Sequence, residues 1–252
     1  MAVSPLAGSD GDLFVSITSG GTVVAPSEAI VSIEITHAAN RVPAARLVLH
    51  DDSDTKPEQH LALSDTDLLK PGAEIEVKAG YGDASDSIFK GIVVRHGVRV
   101  GAAGQSRLVV ECRDKAVKMT AVRKCVNYID SLDSDIFSKL ARAYGLDPTV
   151  TATTVQHKEL VQYDVTDWDF MLARAEANGF VILADGGKLT LAKPTTDGEA
   201  VLKVEYGVDL HEFDADVDAR ALFSTVNGVA WDPATQAVIQ ETAQPPTLNV
   251  QG

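Results

Sequence analysis

The chain is short of cysteine, of aromatic side chains and of positive charge, and each shortage removes a class of protein. Only two cysteines, Cys112 and Cys125, stand in 252 residues. That is too few for the disulfide framework of a small secreted scaffold. A chain of this length buries about 70–75% of its surface and needs no such staples. A zinc site would need more Cys or His at close spacing. Both cysteines fall in apolar, extended runs, so buried reduced thiols are expected. Lys and Arg number 22 against 36 Asp and Glu, a formal net charge of −14, which argues against a nucleic-acid surface. Aromatics make up 6% of the chain and are not interleaved with basic residues as single-strand binding would require. No apolar run approaches the length of a membrane span. The opening MAVSPLAGSDGD has neither the basic start nor the apolar stretch of a secretory signal, so none is expected.

What is present is mostly alternation. Leu13–Ser19 alternates loosely, and Val31, Ile33 and Ile35 alternate with polar neighbours. Arg46–His50, Ile75–Tyr81, Ile88–Val94 and Leu108–Arg113 repeat the pattern. Period two over runs this short predicts half-buried strands, and five or more of them separated by turns predict a small β-barrel or sandwich. Residues 51–70 are a polar excursion. Asp130–Gly145 switches to helical spacing, with Ile136, Phe137, Leu140, Ala141 and Tyr144 on one stripe. Ser131 or Ser134 is the expected cap, and Gly145 the expected stop.

A second helix is expected after Thr166, which can cap it, with Asp169 three residues on completing an approximate capping box. Trp168, Met171, Leu172 and Ala175 form its apolar face, and Asn178-Gly179 closes it. Phe180–Ala184 and Leu189–Leu191 then flank Asp185-Gly186-Gly187-Lys188, a hairpin signal. Strands are expected again at Ala200–Tyr206, Leu210–Arg220, Phe223–Trp231 and Ala237–Glu241. The fold class is therefore β-rich α+β: two small β-barrel domains, 1–122 and 180–252, joined by a two-helix segment, 123–179.

Charge is uneven along the chain. From Thr195 onward two bases, Lys203 and Arg220, face ten acids. Arg113, Lys115, Lys118, Arg123 and Lys124 form the only basic cluster. It could meet an acidic neighbour, including the acidic end of another copy, or simply be a solvated face.

Motifs for chemistry fail one by one. Asp214, Asp216 and Asp218 suggest a calcium loop, but Ala219 and Thr225 stand where glycine and glutamate belong. Gly97 and Gly101 flank Arg99, not a serine, so there is no nucleophile elbow. Gly187-Lys188 has Ile182 where a phosphate loop starts and Leu189 where it ends. Gly80 and Gly82 are followed by Ser85 in place of a third glycine, and His211-Glu212 has Ala215 instead of a second histidine. No catalytic residue, metal ligand or cofactor is assigned, and no enzyme activity is expected.

Two separated patches agree on a family. PGAEIEVKAGYG, SIFKGIVV and LVVECRD, spanning residues 71–114, resemble the first barrel of the phage late control D or tail-hub family, with its VgrG-type spike relatives in contractile injection systems. Gly80, Tyr81, Phe89 and Gly91 carry that likeness. DSDIFSKLARAYGL and LVQYDVTDWDFMLARAEANGFVI resemble the family's helical pair, through Gln162-Tyr163, Trp168, Phe170 and Gly179. A weaker echo is VNGVAWDPATQAV, through Trp231, Asp232 and Pro233. Residues 1–60 fit only by pattern.

The resemblance implies a structural hub: two related barrels per subunit, and three subunits in a pseudo-six-fold ring. Such a homotrimer would adapt a hexameric inner tube to a needle, among baseplate and tip proteins. It would be assembled in the cytoplasm as part of a contractile particle or virion. Family members usually continue past the Trp-Asp-Pro region, so the second barrel is expected to be incomplete within these residues or the sequence to belong to a longer protein. Two other readings remain open. One is a β-rich ligand-binding or adhesin module; the other is a hydrolase using scattered carboxylates such as Asp51, Asp52, Asp214 and Asp216.

Overall fold

Alternating apolar residues build one large antiparallel sheet from the first half of the chain. The computed structural model describes residues 11–24, 29–51, 63–81, 85–100, 106–195, 198–210, 212–216 and 224–243. The sheet's strands are β1 (Leu13–Ser19), β2 (Thr22–Val23), β3 (Ile30–Thr36), β4 (Ala44–His50), β5 (Glu74–Tyr81), β6 (Asp86–Val100) and β7 (Ser106–Arg113). They lie in the order β2-β1-β5-β6-β7-β4-β3. Ile17, Leu47, Leu49, Ile75, Val77, Phe89, Val93, Leu108, Val110 and Cys112 point to one face and form its core. On the other side Glu34, Arg46, Glu111 and Arg95 stand in register across four strands. Such an alternating-charge row suits the water-facing side of an antiparallel sheet.

The fifteen-residue β6 serves two partners. Its first half pairs with β5 and its second half with β7, with Ile92 and Arg113 opposite each other near the crossover. Gly91 sits at that point for a steric reason. A Cβ there would lie 2.2 Å from the Arg113 carbonyl oxygen and 2.8 Å from the Phe89 ring.

The next stretch is not purely helical. β8 (Arg123–Leu132) runs into α1 (Asp133–Ala143), then β9 (Asp147–Val150), β10 (Gln156–Thr166) and α2 (Asp167–Ala177). β8 and β10 pair as a two-stranded ribbon. Asp130 in β8 and Asp164 in β10 take positive φ, 46° and 47°. The hairpin β11 (Val181–Asp185) and β12 (Lys188–Ala192) turns through Gly186-Gly187, both at positive φ, as a primed turn needs. β9 joins β12 in parallel. Trp168, Phe170, Met171, Ala175, Ile136, Phe137, Tyr128, Ile182 and Leu191 form the second core.

Helix capping follows expectation at α2 and departs from it at α1. The Thr166 hydroxyl oxygen accepts from the Asp169 amide at 3.1 Å. At α1 neither Ser131 nor Ser134 caps; Leu132 holds that position, and the Ser134 amide donates to Thr153 Oγ1 at 3.1 Å. The cap is therefore supplied by a residue 19 positions away, which no local pattern reveals.

The Cα positions divide into two units, Met1–Lys203 and Val204–Gly252. In the second, β13 (Val226–Asp232) pairs with β14 (Ala237–Ala243). The expected strand Ala200–Tyr206 is absent. Glu205 O accepts from the amides of Val208, Asp209 and Leu210 instead, winding a tight turn. Residues 212–216 are not a strand either, and 211 and 217–220 lie outside the described residues. Phe213 is exposed: among the described residues, 212–216 pair with no strand, and alternation alone does not hold one. Among the described residues no sheet closes into a barrel.

Candidate functional site

The residues singled out from sequence do not converge on one spot. Gly80 and Tyr81 end β5, opposite Phe14 and Leu13. Phe89 is buried at 1% exposure, edge-on to His37 with ring centroids 6.4 Å apart. Trp168 and Phe170 belong to the second core, where Phe170 stacks on Tyr128 at 5.5 Å and 12°. Gly179 takes φ 66° just past α2 and donates to Glu176 O at 2.9 Å. Trp231 lies on β13 and is 61% exposed. The adjoining Asp232 organises the turn: its carboxylate accepts from the Ala234 amide at 2.9 Å and the Thr235 hydroxyl at 2.6 Å, and the Thr235 bond leads in lowering its pKa.

The carboxylates considered for hydrolysis are not assembled. Asp51 is fully buried, and its Oδ1 accepts from the amides of Leu63 at 2.7 Å and Ser64 at 3.0 Å. It braces a loop. Asp214 and Asp216 are exposed, and Asp52 lies outside the described residues. Among the described residues, no group of three His, Cys, Asp or Glu side chains is placed to hold a metal ion.

Two buried carboxylates instead lock the helices. Asp133 opens α1; it accepts from Arg174 Nε and Nη2, each at 2.8 Å, and from Asn178 Nδ2 at 2.9 Å, and His157 Nε2 lies 3.1 Å away. Burial pushes its pKa up, but the bonds from Arg174, Asn178 and His157 outweigh that and hold it at about 2. Asp167 opens α2; its Oδ2 accepts from Lys124 and the Tyr144 hydroxyl, each at 2.6 Å, and its Oδ1 from Gln162 at 2.8 Å. Gln162 in turn accepts from the Tyr128 hydroxyl at 3.1 Å. Burial opposes ionisation of Asp167, and the bonds from Lys124, Tyr144 and Gln162 prevail, so its pKa is lowered. Both groups are held ionised and occupied by donors, unlike an acid poised to give up a proton. Their positions at helix N-termini add favourable dipole interaction.

The basic cluster resolves into paired and free members. Lys115 pairs with Glu74 at 2.6 Å, Lys124 with Asp167 at 2.6 Å and Arg123 with Asp164 at 3.5 Å. Arg113 has no ion partner among the described residues. It lines a groove of about 490 Å³ with Arg41, Asn40, Val42, Ala44, Thr36, Ala38 and Trp168. One wall is pinned. Asn40, at φ 63°, donates through its amide to Ile182 O and accepts through Oδ1 from the Ile182 amide, both at 2.8 Å. Nearby, the buried Asp114 accepts from the Ala116 amide at 2.8 Å and the Gly187 amide at 3.1 Å. These bonds fix the 38–43 loop and the β11–β12 hairpin to each other.

The two cysteines separate. Cys112 is buried, and burial pushes its thiol up to about 12. Cys125, expected to be buried too, is exposed, because it shares the outer face of the β8–β10 ribbon rather than the Tyr128 side. Ile129, Val161 and Tyr163 are also exposed on the ribbon. Among the described residues no third strand pairs with it, and no helix is long and apolar enough to cross a membrane.

The arrangement is that of a phage tail protein fold. The 43 kDa tail protein of prophage MuSo2 from Shewanella oneidensis superposes with a TM-score of 0.68 at 14% identity, over 92% of this chain and 69% of that one. A tail protein from Neisseria meningitidis MC58 gives 0.65 at 15% identity, over 94% and 69%. A third structure, the Escherichia coli c3393 protein described as a type VI secretion component, gives 0.47 at 9% identity over 69% and 48%, too weak to add to the fold assignment. No curated protein sequence matches. Residues 10–252 match the family model described as the Alg8 N-terminal domain. The chain belongs to that family, which bears a different name from the tail-hub family its motifs resemble.

Proposed function

We propose that this chain is a structural hub component of a contractile injection apparatus, a homotrimer that adapts a hexameric inner tube to a needle. One observation carries the reading: the chain shares its fold with a phage tail protein over 92% of its length. Its surfaces suit assembly. The β8–β10 ribbon exposes apolar side chains and, among the described residues, strand edges without a partner, and β13–β14 exposes Val226, Val229, Trp231, Val238 and Ile239. Exposed apolar patches and open edges mark surfaces that meet other chains. On this reading residues 1–122 form the first tube-like domain, 123–179 the connecting segment, and 180–252 strands of the second. Gly80, Tyr81, Phe89, Gly91, Trp168, Phe170, Gly179 and Trp231 keep those parts in shape rather than touch a substrate. Baseplate and tip proteins are its neighbours, and assembly takes place in the cytoplasm.

The test is at the level of the particle. Deleting the gene should give particles without their central hub, and three-fold averaging of intact particles should place this chain at the tube–needle junction. Particles that keep a complete hub after deletion would overturn the reading.

A further inference from the structure

We propose that the Arg41–Arg113 groove seats a carboxylate-bearing segment of a second copy of this chain. The groove is concave, about 490 Å³, and no acidic residue lines it. Both arginines are exposed, and neither is within ion-pair distance of a carboxylate among the described residues. Three neighbours from the same basic run, Lys115, Arg123 and Lys124, already have acids of their own. Two guanidinium groups with no ion partner among the described residues thus share one groove. Each presents a planar fork suited to a carboxylate.

The backbone that carries the two arginines is held by hydrogen bonds. Arg113 ends β7, opposite Ala44 on one side and Ile92 on the other. Arg41 follows Asn40, which is fixed to Ile182 by two bonds of 2.8 Å. Ordering the arginine-bearing loop therefore costs little on association.

The occupant is argued from charge. Glu212, Asp214 and Asp216 are exposed and have no ion partner among the described residues. Taken up in extended form, residues two apart present carboxylates about 6–7 Å apart on one side, so a single groove can engage both. Groove and acidic segment are different patches, so the contact between two molecules is heterologous and can propagate head to tail until a ring closes. This deepens the proposed hub reading by naming how copies meet.

The experiment is charge reversal, read as mass in solution by light scattering or sedimentation. The unaltered chain should self-associate, and less so as salt rises. Arg41→Glu with Arg113→Glu should weaken association at least about tenfold, since a close interfacial charge pair couples strongly, and Asp214→Lys with Asp216→Lys should do the same. All four changes in one chain should restore it. Arg41→Gln with Arg113→Gln, with an unchanged unfolding midpoint, guards against misfolding as the cause. Single-chain mass for the unaltered protein, unchanged association of the arginine variants, or no rescue by the fourfold variant each overturns the proposal. The hub reading is judged separately, in particles, and stands if copies meet through another surface.

Discussion

Arg174, in the last turn of α2, donates two hydrogen bonds to Asp133, the first residue of α1, at 2.8 Å each. The fork joins the C-terminal end of one helix to the N-terminal end of the other, where the dipoles favour a cation and an anion respectively. The sign of its pH dependence follows. Asp133 has a folded-state pKa of about 2, below the unfolded value of about 3.9. Its contribution is complete above pH about 4 and is lost as pH falls toward 2, on the order of 2–3 kcal/mol in all. Urea unfolding between pH 2 and 5 should show that loss, and Asp133→Asn should flatten the curve there. Equal slopes in both proteins would show the pair is not what titrates.

Breaking the same pair one-sidedly should cost more than its net worth, because a buried charge is left uncompensated. Arg174→Ala should destabilise by about 3–5 kcal/mol. A fall in unfolding midpoint of under a degree would contradict the geometry.

Asn40 offers a cleaner comparison. Asn40→Gly keeps the positive φ and loses only the side-chain bond to Ile182, a cost of about 1 kcal/mol. Asn40→Ala loses the bond and also strains the backbone, adding about 1–2 kcal/mol. Thermal unfolding should rank unaltered protein above Gly above Ala; the reverse order of the two variants would mean the φ is not held.

Gly91→Ala should be poorly tolerated although it adds one methyl group. With the Arg113 carbonyl 2.2 Å from the new Cβ, β6 or β7 must shift, at the upper end of about 1–3 kcal/mol. Trp168→Ala removes a buried side chain from the second core and should cost about 3–5 kcal/mol. Calorimetry distinguishes both from surface substitutions, which move stability by about 0.5 kcal/mol or less.

The thiols should react differently. A maleimide should label Cys125 in the folded chain and reach Cys112 only on unfolding, since Cys112 is buried with its thiol pushed up to about 12. Mass spectrometry should count one label before denaturation and two after.

Most of the sheet was legible because period-two alternation is a local signal. β1, β3, β4, β5 and β7 fall where Leu13, Ile33, Leu47, Ile75 and Leu108 place them. The helices were legible from their apolar stripes, and α2 from Thr166 as well. What was not legible is what depends on distant partners. β8 was legible only as the extended run around Cys125, with no sign of its partner, and β9 lies in a polar connection that shows no pattern of its own. Their neighbours, β10 and β12, supply the pairing. The Thr153 cap, the Asp133–Arg174 pair and the groove join residues far apart in sequence. In the other direction, the acidic alternation of Glu212–Asp216 predicted a strand, and those described residues do not form one.

The Asn40–Ile182 clasp joins residues 142 positions apart, and that separation has a meaning in time. During synthesis at about 5–20 residues per second, the loop carrying Asn40 leaves the ribosome roughly seven to thirty seconds before Ile182 can meet it. The first sheet can form in that interval, but Asn40 still lacks its two bonds to Ile182. Closure of the clasp is thus a late event in the life of the nascent chain, a molecular receipt that both halves have been made.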